Sequence, residues 1–191
     1  MIRAFVAIEI DPTTVQNIAA AIVELTPRIA AVRWVAPSHF HLTLKFLGDI
    51  DEAQISPIAQ ALEQHLHPFP RCTINAKGLG VFPEVKRPRV LWVGLNSNRL
   101  IALAAKVETA LAPLGFIPDK RGFKPHLTVG RWRQQIGSAV KLGEELERWQ
   151  AQEFGESEVK QVILFQSILK PEGAEHRPLK VIALADKERL N

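Results

Sequence analysis

Two short runs in this chain set an imidazole beside a hydroxyl at the same spacing. His41-Leu42-Thr43-Leu44 lies in the first half and His126-Leu127-Thr128-Val129 in the second. On an extended strand, residues i and i+2 project from one face. His41 and Thr43 therefore point together while Leu42, Leu44 and Phe46 face a core, and His126 and Thr128 do the same over Leu127 and Val129. A neutral imidazole takes a proton from water, and an imidazolium gives one to a departing oxygen. Both forms exist near neutrality because the reference pKa is about 6.5. Two neighbouring hydroxyls suit the non-bridging oxygens of a phosphate. Brought to opposite walls of one cleft, the four side chains fit in-line attack on a phosphodiester by paired general acid and base, without a metal. One such run alone is ordinary strand sequence; its recurrence at corresponding places in a rough duplication carries the reading.

The elements that must position these residues follow from periodicity and turn residues. Strands are expected over Ile2–Ile10, His41–Leu47, Thr73–Phe82, Arg89–Leu95, Pro125–Trp132, Glu158–Leu169 and Pro178–Ala185, with a short extended piece at Arg33–Val35. Asp11-Pro12 caps and opens a first helix that ends before Pro27. Further helices are expected over Asp51–His65, Leu100–Leu111 and Ser138–Trp149. A helix–strand–helix–strand order fills residues 11–82 and recurs over 98–169. Several strand pairs are antiparallel, which favours an α+β fold over a doubly wound sheet.

Composition bounds the rest. A chain of 191 residues, 47% apolar and 23% charged, has globular averages and room for one domain or two small lobes sharing a core. The expectation is a single bilobal catalytic domain over residues 1–191. One cysteine, Cys72, excludes an internal disulfide framework. The formal charge of +4 permits an anionic partner without requiring one. The first ten residues lack the uncharged stretch of a secretory signal, and no window is apolar enough to span a membrane. A cytoplasmic protein with no membrane association, acting as a monomer, is expected.

The two H-x-T-x runs resemble the signature of the 2H phosphoesterases, and the surrounding sequence resembles the RNA 2′,3′-cyclic phosphodiesterases, also called 2′-5′ RNA ligases. Phe40-HLTLKFLGDI50 is similar to that family's first motif. Gly80-Val-Phe-Pro83 followed by Arg87-PRVLWVG94 is similar to its middle hairpin, and Phe123-KPHLTVGR131 to its second motif. The likeness covers nearly the whole chain. It implies a bilobal, pseudo-symmetric α+β fold, with antiparallel sheets lining a central cleft and helices outside. It implies opening of a terminal 2′,3′-cyclic phosphate to a 2′-phosphomonoester. His41 and His126 are then the acid–base pair, His41 acid and His126 base, with Thr43 and Thr128 on the phosphate. Joining of RNA ends through a 2′-5′ bond, a small cyclic nucleotide as substrate, and non-catalytic binding of RNA ends are the alternatives.

The chain departs from the family's pattern at two places. Where the family often has tyrosine in its last hairpin, this sequence has His176, and it contains no tyrosine. Family members often carry a basic residue at the position of Arg131. Strict alternation turns Arg131 away from His126, so it reaches the phosphate only if the strand bulges, for which Gly130 is the plausible site.

Other residues add to the candidate surface. Lys86, Arg87, Arg89, Lys120, Arg121 and Lys124 lie in loops near the motifs and could gather RNA phosphates. Phe82 and Trp92 could stack a base, although Trp92, inside an apolar strand, suits a core. Lys45 shares the face of His41 and Thr43 on strict alternation. The pairs His39/His41 and His65/His67 have a spacing that zinc accepts, but no cysteine or carboxylate set accompanies them. No metal and no cofactor are expected.

Overall fold

The computed structural model describes residues 1–119, 122–133, 139–170 and 173–186. Lys120, Arg121, the expected helix start at Ser138, and Pro171 and Glu172 of the last turn lie outside them. In chain order the elements are β1 (Ile2–Glu9), α1 (Pro12–Leu25), β2 (Arg33–Trp34), β3 (His41–Ile50), α2 (Ile55–Leu66), β4 (Cys72–Phe82) and β5 (Val90–Asn96). There follow α3 (Asn98–Leu111), β6 (His126–Arg131), α4 (Ala139–Trp149), β7 (Glu153–Val159), β8 (Gln161–Lys170) and β9 (Gly173–Ala183).

The strands form two antiparallel sheets, ordered β3-β1-β8-β9 and β2-β6-β5-β4-β7. The first sheet therefore joins both ends of the chain. Its inner strand β1 is buried from Ala4 to Ile8, one face in the main core and the other beneath the rings that surround Phe5. Ala4, Val6 and Ile8 enter the main core with Leu42, Leu44, Val162 and Leu164, while Phe5 and Ala7 join Ile163 and Phe165 on the opposite face. The same main core continues through Leu91, Val93, Leu127 and Val129 of the second sheet. Helices α2 and α3 pack together, α2 on β9 and α3 on β3. The other two, α1 and α4, lie on β7 and β4. The sheets meet where β3 lies against β6, so the two H-x-T runs sit on neighbouring strands at this seam.

Two expectations on the elements are corrected. The single strand from Glu158 to Leu169 is two: β7 ends at Val159 in the second sheet and β8 starts at Gln161 in the first. The apolar run hid a change of sheet at Lys160. Asp11 does not cap α1 with its side chain; its carboxylate accepts from the Glu158 backbone N–H at 2.9 Å. Thr14 donates to the Glu156 carbonyl and Asn17 to that of Phe154, each at 2.8 Å. The first turns of α1 thus occupy the free edge of β7, which would otherwise present unpaired backbone groups.

Candidate active site

Bulges decide which side chains reach the seam. Along β1 and β3, Glu9 pairs with His41, Ala7 with Thr43, Val6 with Lys45 and Phe5 with Phe46, leaving Leu44 as the extra residue. Along β5 and β6, Trp92 pairs with Thr128 and Leu91 with Gly130, leaving Val129 extra. In each motif the residue three after the histidine is bulged. The fourth then joins it on the core side, and the fifth returns to the histidine's face.

On β6 this brings Arg131 round to the side of His126 and Thr128. Gly130 allows it: a Cβ there would lie 2.5 Å from the Val32 side chain. On β3 the same slip corrects two expectations. Lys45 does not share the face of His41; it is turned inward, where its ammonium donates to Glu108 at 2.5 Å and to the Ile117 carbonyl at 3.0 Å. Phe46 does not face the core but stands 69% exposed on the His41 side, its ring 6.1 Å from that of Phe5. Lys45→Met leaves Glu108 without its cation. The side chain of Lys45 is 5% exposed and that of Glu108 24%, so the expected loss is about 2 kcal/mol in urea unfolding with turnover retained.

Each imidazole is held in the same way. His41 Nδ1 lies 2.8 Å from the carbonyl of His39, and His126 Nδ1 lies 2.7 Å from that of Lys124. In both cases a ring N–H given to the carbonyl two residues upstream fixes the ring and its tautomer, and leaves Nε2 for chemistry. His41 is flanked by Phe5 at 5.0 Å and by His176 edge-on at 4.8 Å. His126 is met edge-on by Phe82 at 5.0 Å.

Burial lowers the His41 pKa to about 4. The bond to His39 opposes the shift, and His176, His39 and Arg131 add to it. Burial also lowers His126, against its bond to Lys124, and Arg131 lowers it further. Arg131 is thus near enough for its charge to act on both rings. His176 is itself lowered, by burial and then by His39, so a neutral imidazole stands where the family often has tyrosine.

The remaining candidates divide. Trp92 is not in the core. It lies opposite Thr128 over Gly80, whose Cβ would fall 2.1 Å from its ring, and its buried Nε1 has no partner. Its ring meets Phe82 at 5.2 Å, and the Lys124 ammonium stands 5.9 Å over Phe82. An aromatic wall with a cationic edge therefore lies beside His126. Arg87 and Arg89 are exposed on the loop that joins Phe82 to β5. Among the described residues no group of three or more metal-ligating side chains converges, and no helix is long and apolar enough to cross a membrane. Sequence reasoning missed Phe46 and favoured the core for Trp92, which it also named for stacking; for Trp92 the available signal was its register with Thr128 between β5 and β6.

Comparison with known proteins agrees with the duplication. The family model described as LigT like phosphoesterase matches residues 8–92 and, again, residues 93–174. The chain is 35% identical to the RNA 2′,3′-cyclic phosphodiesterase of Archaeoglobus fulgidus over 181 residues, 94% of this chain and 98% of that one. It is 41% identical to the Aquifex aeolicus protein of the same name over 144 residues, 74% of this chain and 76% of that one. The Thermus thermophilus structure TT0787 matches with a TM-score of 0.82 at 23% identity, covering 97% and 99% of the two chains. E. coli LigT complexed with 3′-AMP matches with a TM-score of 0.78 at 25% identity, covering 96% and 98%.

Proposed function

The chain belongs to the LigT-like phosphoesterase family, and from that premise we propose that the seam between its sheets opens RNA 2′,3′-cyclic phosphates to 2′-phosphomonoesters. The protein is a phosphodiesterase of the kind its relatives are named for. Water attacks phosphorus opposite the 3′ oxygen. His126 Nε2 takes the proton from water, the P–O3′ bond breaks, and His41 gives its proton to the 3′ oxygen. Thr43, Thr128 and Arg131 bind the non-bridging oxygens and stabilise the charge that builds on them.

The single observation behind this reading is the twofold repetition of one construction. Two imidazoles, each locked through Nδ1 to the carbonyl two residues before it, come from adjoining strands, and one guanidinium acts on both. His41 is neutral in the free protein near pH 7, since its pKa is about 4. A bound phosphodiester anion raises that value and allows His41 to serve as the acid. Both histidines come from one chain, so a single copy carries a complete pair, which supports a reading as a cytoplasmic monomer. Lys124, Arg87 and Arg89 gather the RNA backbone at the rim, so affinity falls with salt.

The test is a 2′,3′-cyclic-ended oligonucleotide incubated with the protein in EDTA, with the product identified by phosphorus NMR. The expected product is the 2′-phosphomonoester. A 3′-phosphomonoester would reverse the axis of attack, and tight binding without turnover would overturn the enzymatic reading.

A further inference from the structure

Past His41, away from Phe46, the open face of the first sheet deepens into a recess of about 290 Å³. Its position follows from register: Phe46 pairs with Phe5 at one end of the motif, while His41 pairs with Glu9 at the other. The lining divides by chemistry. Phe165, Pro178 and Val181 give an apolar wall, and Glu9, Ser38 and Gln161 bring polar groups to it. No hydrogen bond or ion pair among the described residues engages the side chains of these three. His41 and His176 also line the recess, so it opens directly beside the reacting phosphate.

We propose that this recess holds the penultimate nucleoside of the RNA, the one joined to the residue bearing the cyclic phosphate. The inference rests on the phosphodiesterase reading above. A concave, partly apolar pocket with a few unengaged polar groups is the usual form of a small-molecule site, and its volume is near the lower limit for one, roughly 300 Å³. That volume admits one nucleoside and not a longer segment. The carboxylate of Glu9 only accepts hydrogen bonds when ionised, so it repels a phosphate and suits ribose hydroxyls or base N–H groups. Phe165 and the His176 ring, 6.3 Å apart, give a base a surface to stack on. His176 is the residue by which this chain departs from the family's tyrosine, so this wall belongs to this sequence.

The experiment compares a 2′,3′-cyclic mononucleotide with a dinucleotide ending in the same cyclic residue. Stacking one base is worth about 1–3 kcal/mol, or about 5- to 150-fold, so the dinucleotide should exceed the mononucleotide in kcat/KM by at least about fivefold. Val181→Trp fills the recess from an exposed position, and Gln161→Ala removes a polar partner. Both should erase most of that advantage and leave mononucleotide turnover unchanged, which also shows that the variants fold. A dinucleotide abasic at the penultimate position should behave as the mononucleotide does. Equal wild-type rates on the two substrates, or an undiminished advantage in the variants, overturn the proposal. Equal losses on both substrates place the terminal nucleoside in the recess and overturn it as well. Absence of wild-type turnover on both substrates overturns the phosphodiesterase reading, and the subsite with it.

Discussion

His126→Ala and His41→Ala each lower kcat on a 2′,3′-cyclic-ended oligonucleotide by about 10²- to 10⁴-fold, the range that one positioned acid or base supplies. The KM should change little in His126→Ala, because the neutral base carries no charge that holds the phosphate, and should rise in His41→Ala, which removes the imidazolium that the bound anion favours. The two losses should not add. Once one proton transfer falls to water the second ring has less to assist, so the double variant should sit near the slower single one. The pH profile separates the roles. Wild type gives a bell. His126→Ala loses the rising limb, because deprotonation of the base no longer limits the rate, and His41→Ala loses the falling limb. The opposite pattern would exchange acid and base. Turnover that survives both substitutions would remove the histidines from the chemistry altogether.

That the pair could be found at all comes from alternation. His41/Thr43 and His126/Thr128 each stand on two consecutive unslipped positions, so the period-two rule reads them correctly. The rule fails at the next step in both motifs. Leu44 and Val129 are bulged, and nothing in their own side chains marks this, since each is an apolar residue where an apolar residue belongs. In the second copy Gly130 gave a signal. In the first copy no glycine stands at the matching place, and strict alternation puts Lys45 and Phe46 on the wrong faces. The cause is physical: Lys45 can be buried because Glu108 and the Ile117 carbonyl, 63 and 72 residues away, receive its ammonium. Such partners are set by the packing of α3 on β3, which no local window contains. The same limit applies to Lys160, where β7 passes to β8 inside one apolar run. The helices, by contrast, were legible because their apolar stripes and flanking prolines are local.

Arg131→Met carries the second large effect, and it has two independent readouts. Removing a charge aimed at the phosphate oxygens should lower kcat/KM by about 10²- to 10³-fold, as loss of an oxyanion donor does elsewhere. The pH profile should move as well. A cation near an imidazole opposes its protonation and lowers its pKa, and Arg131 does this to both His41 and His126. Without it both values rise. In the profile of kcat/KM, which reports the free enzyme, the rising limb set by the base and the falling limb set by the acid therefore both move to higher pH. Arg131→Lys separates the two contributions. It keeps a positive charge but lacks the planar fork that matches a phosphate, so its limbs should stay near the wild-type positions while its rate falls between those of wild type and Arg131→Met. Limbs that stay fixed in Arg131→Met would place the guanidinium away from the rings. The bulge at Val129 would then be a feature of sheet geometry with no part in the reaction.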